Sequence, residues 1–107
     1  MATPEARVRA PVIRWAKANG FLHFRLSFRP GVARGLPDDL FVTPFGVHVW
    51  AEFKRPGKCP TELQMTRLVR LQERGVAAFW CDAPADGIAA LQRLRDLETE
   101  LLVRGAE

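Results

Sequence analysis

Two carboxylates and an ammonium dominate the chemistry available to this chain: Asp38, which closes Gly35-Leu36-Pro37-Asp38, and the Glu and Lys of Glu52-Phe53-Lys54. Placed on neighbouring strands, such a set suits metal-assisted hydrolysis of a phosphodiester. Carboxylate oxygens hold a hard divalent ion, Mg²⁺ with Mn²⁺ as a substitute, which leaves positions open for water and phosphate. The ion polarises the phosphate and lowers the pKa of its bound water. A lysine beside it orients that water or offsets charge on the phosphorane.

Whether the acids meet depends on one turn. Leu40 to Thr43 and Val47 to Phe53 read as strands joined by Pro44-Phe45-Gly46. A three-residue loop with Gly46 in the left-handed position pairs Thr43 with Val47, hence Leu40 with Trp50 and Asp38 with Glu52. A two-residue loop would oppose Asp38 to Phe53 and send the carboxylates to opposite faces. Glycine adopts φ > 0 without strain, which favours the first register. In it Lys54 shares the face of Glu52, while Asp39 joins Phe41, Val49, Ala51 and Phe53 on the other. Both faces carry large apolar residues, so helices should cover both sides. Directly opposed carboxylates repel unless a cation or a shared proton relieves them. The plain alternative is an Asp at a strand start and a surface Glu-x-Lys ion pair, which is commonplace.

The elements that must position these groups follow from pattern. Thr3-Pro4-Glu5 starts a helix that Asn19-Gly20 stops. Pro11 inside it should kink the helix or split it near Arg7. Phe21 to Phe28 reads as a strand, and Arg29 to Pro37 as a loop. Beyond the polar turn at Arg55 to Pro60, a helix runs from Glu62 to Arg74 with Thr61 as its N-cap and Gly75 as its stop. Val76 to Cys81 is an apolar strand, and Ala85 to Val103 a closing helix. The order α-β-β-β-α-β-α gives a mixed α/β fold around one sheet, a single domain over residues 1–107.

Composition narrows the partners. Up to Gly75 there are 13 Lys and Arg against 6 Asp and Glu, and after it 3 against 6, within a net charge of +4. The positive excess travels with the acidic motif, which suits a polyanion, nucleic acid before membrane. No stretch approaches the ~20 apolar residues of a membrane span, and the first residues do not read as a signal peptide, so an intracellular, cytoplasmic protein is expected. Cys59 and Cys81 lack the spacing of a zinc site or a disulfide framework, and His23 and His48 show no recognisable partner. Gly57-Lys58 lacks the rest of a phosphate loop, which excludes nucleotide binding.

Taken together, Thr3-Pro4-Glu5, Gly35-Leu36-Pro37-Asp38, Ala51 to Lys58 and Gln64 resemble the VRR-NUC family of the PD-(D/E)xK nuclease superfamily, from Glu5 through Phe79-Trp80-Cys81. The resemblance implies a restriction-endonuclease-like core and a Mg²⁺-dependent DNA endonuclease. For compact, often phage-encoded members it implies a homodimer acting on branched DNA such as Holliday junctions, here in a bacterial or phage-infected cytoplasm. It assigns Asp38 and Glu52 as metal carboxylates, Lys54 as the catalytic lysine, Glu5 as the supporting acid, Gln64 as the glutamine after the lysine strand, and the Phe53 carbonyl as a further ligand. Asp39 departs from the family, which often has an Arg there. Several of these residues also have plainer readings. Thr61-x-x-Gln64 is a capping box, Glu5 favours a helix N-terminus, and Arg25, Arg29, Arg34, Arg55 and Lys58 are phosphate contacts or simply solvated charges. Trp15, Trp50 and Trp80 are expected in the core. The rival function is a DNA-binding or assembly module that keeps the fold without turnover, against which the intact acid–lysine set argues.

Overall fold

A computed structural model describes residues 2–26 and 34–106. The elements are α1 (Pro4–Ala18), β1 (Leu22–Arg25), β2 (Asp39–Val42), β3 (His48–Phe53), α2 (Glu62–Glu73), β4 (Ala77–Cys81) and α3 (Pro84–Ala106), in the expected order. One four-stranded sheet is ordered β1-β2-β3-β4. Its first two pairings are antiparallel and the β3–β4 pairing, reached through α2, is parallel.

The register is the one that Gly46 favours. Leu40 stands opposite Trp50 and Asp39 opposite Ala51, and the Thr43 N–H donates to the Val47 carbonyl at 2.9 Å. Gly46 has φ 95°, and its N–H bonds the Thr43 carbonyl at 3.0 Å. The turn is braced from α3: Glu98 accepts from the Thr43 hydroxyl at 2.5 Å and from the Phe45 N–H at 3.0 Å.

Strand alternation then sorts the side chains. Phe41, Val49, Ala51, Phe53 and Cys81 form a buried apolar core with Val8, Val12 and Ala16 of α1 and Leu91 of α3. Helices lie on both sides of the sheet as expected, although the other face is covered only in part. On that face α2 packs against β4. Leu22 and Phe24 on β1 remain 59% and 49% exposed. The apolar residues there bound a partly wet surface rather than a second core.

Thr3 caps α1 and Thr61 caps α2 as expected, and α2 stops within a residue of the expected end. α1 runs unbroken through Pro11, so the helix is not split. Only one hydrogen bond is forfeited, to the carbonyl of Arg7, and Arg7 is exposed where water can take its place. β1 is shorter than expected within the described residues. The end of the expected strand at Phe28, and most of the loop after it, lie outside them.

A Cβ at position 46 would meet no described atom within 4 Å, although the backbone there is left-handed. Gly46→Ala should therefore destabilise through backbone strain alone, by about 1 kcal/mol. Urea unfolding reads this, and an unchanged midpoint would show that the turn does not depend on glycine.

Candidate active site

The end of the sheet where β2 begins and β3 finishes collects the acidic residues. Glu5 comes from the first turn of α1, Asp38 and Asp39 from the start of β2, Glu52 and Lys54 from the end of β3, and Gln64 from the first turn of α2. Both helices point their N-terminal, partially positive ends toward this region, a placement that favours carboxylates. Gly35, at φ 78°, lets the chain rest on α2 just ahead of Asp38, since a Cβ there would lie 2.7 Å from Leu63 Cγ. The backbone ladder continues one step past β2, with the Leu26 N–H donating to the Asp38 carbonyl at 2.7 Å.

Glu52 is buried, with 6% of its surface exposed. Its Oε1 accepts from Gln64 Nε2 at 2.7 Å and lies 3.5 Å from Lys54 Nζ. Oε2 is buried and has no hydrogen-bond partner among the described residues, as is also true of Asp38 Oδ1. Burial, then the charge of Asp38, pushes the Glu52 carboxyl up to about 7, with Lys54 opposing. Such a sensitivity to Asp38, and in smaller part to Glu5, places the three acids within one field.

Gln64 serves two purposes at once. Its Oε1 accepts from the Thr61 N–H at 2.8 Å and completes the capping box, while its Nε2 reaches Glu52. Glu5 pairs with Arg9 at 3.1 Å on the next turn of α1 and remains partly exposed. Glu5 and Lys54 also line a cleft of about 350 Å³ with Thr3, Pro4, Arg55 and Lys58. The Gly57 N–H in the basic turn is taken by Asp82 at 3.0 Å. A larger groove of about 1030 Å³, lined by Trp50, Val76, Ala78, Phe79 and Leu94 among others, lies away from the acids.

Asp39 goes to the core, fully buried. Its Oδ2 accepts from Arg9 Nε at 3.0 Å, and its Oδ1 lies 2.7 Å from His23 Nε2. Burial pushes its carboxyl up, while His23 and Arg9 oppose the shift. His23 thus has a partner that sequence reading missed. The signal was its place opposite Phe41, which sets its ring on the face of Asp39. Arg9 was missed as well, although Glu5 and Arg9 stand four residues apart on a helix. Arg25, its side chain half-exposed, donates to Asp38 Oδ2 at 3.3 Å. Arg55, Lys58 and Arg34 are exposed, and Arg29 lies outside the described residues. Trp15, Trp50 and Trp80 are half-buried, Cys59 is exposed and Cys81 is buried.

Among the described residues no group of three or more His, Cys, Asp or Glu side chains is disposed to hold a metal ion by itself. Asp38 and Glu52 nonetheless fit one, because each offers a buried oxygen without a donor in a site where an extra cation would relieve repulsion.

Comparison with solved structures gives this geometry a family. A chain titled "VRR_NUC domain" matches with a TM-score of 0.76 at 27% identity, over 85% of this chain and 97% of that one. The chain has the fold of a VRR-NUC domain. A second structure, titled "VRR_NUC domain protein", shares the fold with a TM-score of 0.63 at 20% identity, over 87% and 88% of the two chains. No family model and no curated protein matches. Like those domains the chain carries a nuclease-type fold, a small α/β unit with a mixed four-stranded sheet flanked by helices. No helix among the described residues is long and apolar enough to cross a membrane.

The raised pKa of Glu52 has a thermodynamic signature in the metal-free protein. Between the ordinary value of 4.5 and about 7, the unfolded chain has released this proton and the folded chain still holds it. Stability must then fall as pH rises through that window, by roughly 2–3 kcal/mol in all. Urea midpoints measured across it should decline for wild type and decline less for Glu52→Gln; parallel curves would refute the assignment.

Proposed function

We propose that this VRR-NUC domain is a divalent-metal-dependent DNA endonuclease that acts as a homodimer on branched DNA such as Holliday junctions. The observation that carries the reading is the pair of buried oxygens, Asp38 Oδ1 and Glu52 Oε2, without a hydrogen-bond partner among the described residues and beside Lys54. Leaving a buried carboxylate oxygen without a donor is costly, and a hard cation relieves that cost. Asp38, Glu52 and the Phe53 carbonyl would hold Mg²⁺, or Mn²⁺ in its place, with Glu5 in support. When bound, the ion supplies Lewis-acid activation of water and phosphate.

The chain's own groups do the rest. Gln64 holds Glu52 in position through one oxygen and leaves the other free. Lys54 would orient the attacking water and offset charge on the phosphorane. Water attacks in line, leaving a 5′-phosphate and a 3′-hydroxyl. Arg55 and Lys58, on the cleft that Glu5 and Lys54 line, would grip the DNA backbone without reading bases, with Arg29 and Arg34 assisting. Binding of this kind weakens steeply with salt.

Four-way junction, fork, flap and duplex substrates compared in Mg²⁺ test the activity. Asp38→Ala should lower the rate at least 100-fold, beyond the ~10–100-fold typical of residues that only support a metal ligand. Wild type that cuts none of the four, or Asp38→Ala that cuts as fast, would sink the proposal.

Support for self-association comes from the distal half of α3. Leu97, Leu101 and Leu102 are exposed there and share one surface with Phe45 and Val47 of the hairpin turn. A continuous apolar patch of this kind marks an interaction surface. Light scattering should give twice the monomer mass, and Leu97→Glu with Leu101→Glu should return it to one. A monomeric wild type would remove the dimer from the proposal.

A further inference from the structure

Arg9 touches Glu5, Asp38 and Asp39, yet it is neither a ligand nor a DNA contact in the reading above. Its side chain is only 8% exposed. Nε donates to Asp39 Oδ2 at 3.0 Å, and one terminal nitrogen donates to Glu5 Oε2 at 3.1 Å and lies 3.8 Å from Asp38 Oδ1. The guanidinium also sits over the Phe53 ring, 5.3 Å from its centroid. Because the group is planar, fixing Nε and one face fixes the direction in which the terminal nitrogen points. An ordinary Glu–Arg pair on a helix surface swings freely and contributes little; this one cannot swing.

The anchor is itself closed. The second oxygen of Asp39 is occupied by His23 Nε2 at 2.7 Å, and the His23 ring packs on Phe41 with centroids 4.7 Å apart. Asp39 is therefore fully buried with both oxygens engaged in the core, away from the open end, and faces the charge of Arg9 there. We propose that Arg9 is a positioning residue: clamped by Asp39 and His23, it aims Glu5 and Asp38 toward the metal position and keeps the neighbouring Asp39 out of the ligand set. This inference rests on the metal-dependent reading of the site.

Lysine at position 9 keeps the charge but lacks the fork that reaches Asp39 and Glu5 together. Calorimetric titration with Mn²⁺ in the absence of DNA reads the consequence directly. Arg9→Lys should weaken Mn²⁺ binding about 10-fold or more, within the range for groups that orient metal ligands. In cleavage assays saturating Mn²⁺ should restore its rate to near wild type, a shift in metal requirement rather than in kcat. Asp39→Asn should weaken binding in the same direction, and the double variant should be no weaker than Arg9→Lys alone, because Asp39 acts through Arg9. Should Arg9→Lys fail to fold by circular dichroism, Asp39→Asn and His23→Gln carry the same titration. Folded variants that bind Mn²⁺ as wild type does, effects that add in the double variant, or a lost rate that Mn²⁺ does not restore would overturn the proposal. A wild type that binds no Mn²⁺ and cuts no DNA overturns the metal-dependent reading itself and this inference with it. An active wild type with indifferent variants overturns this inference only.

Discussion

Two adjacent acids, Asp38 and Asp39, start the same strand, and a β-strand must send neighbouring side chains to opposite faces. The register of β2 against β3 decides which of them approaches Glu52, and most of the acidic end follows from that choice. With Leu40 opposite Trp50, Asp39 enters the core and must be matched there by Arg9 and His23, while Asp38 stays at the open end. Slipping the pairing by one residue would exchange the two roles and bury a carboxylate away from its counter-ions. The register is secured at the far end of the hairpin by Gly46 and by Glu98, so the turn and the site are parts of one rigid strand pair.

The acidic end is also where the fold is least at ease. Glu52 is buried beside Asp38 with one oxygen lacking a described donor, and its proton is held up to about 7 as a result. Local conflict of this sort is expected where a site has been built for something the bare chain does not contain. Elsewhere the same groups are well satisfied. Thr3 and Thr61 cap α1 and α2, Asp39 is engaged through both oxygens, and the core between the sheet and helices α1 and α3 is built from buried apolar residues.

Much of this was legible in the sequence because the signals were local. Gly46 announced the turn, Thr61 and Gln64 announced a cap, and alternation over Phe41, Val49, Ala51 and Phe53 announced the buried face. Other features were hidden because they depend on distant partners. His23 meets Asp39 only through the β1–β2 pairing, and the half-exposed Arg25 reaches Asp38 across the same two strands. Counting apolar residues on each face predicted helices over both, and both carry them; the extent of cover was hidden, since α2 packs against β4 and leaves Leu22 and Phe24 exposed, a matter of where the chain crosses rather than of composition. Pro11 misled for a simpler reason: one lost hydrogen bond on the exposed side of a helix held by its buried face does not break it.

Gln64 narrows the chain's vocabulary at one position. At the third residue of a helix, a capping box accepts Glu and Gln alike, since only an oxygen is required to receive the N-cap amide. Here that oxygen is spent on Thr61, and the opposite end of the side chain faces the carboxylate of Glu52. Glutamate in its place would cap the helix equally well and set two oxygens lip to lip. Two synonyms for the helix become a single permitted word for the sheet, and the amide's orientation is dictated from both sides.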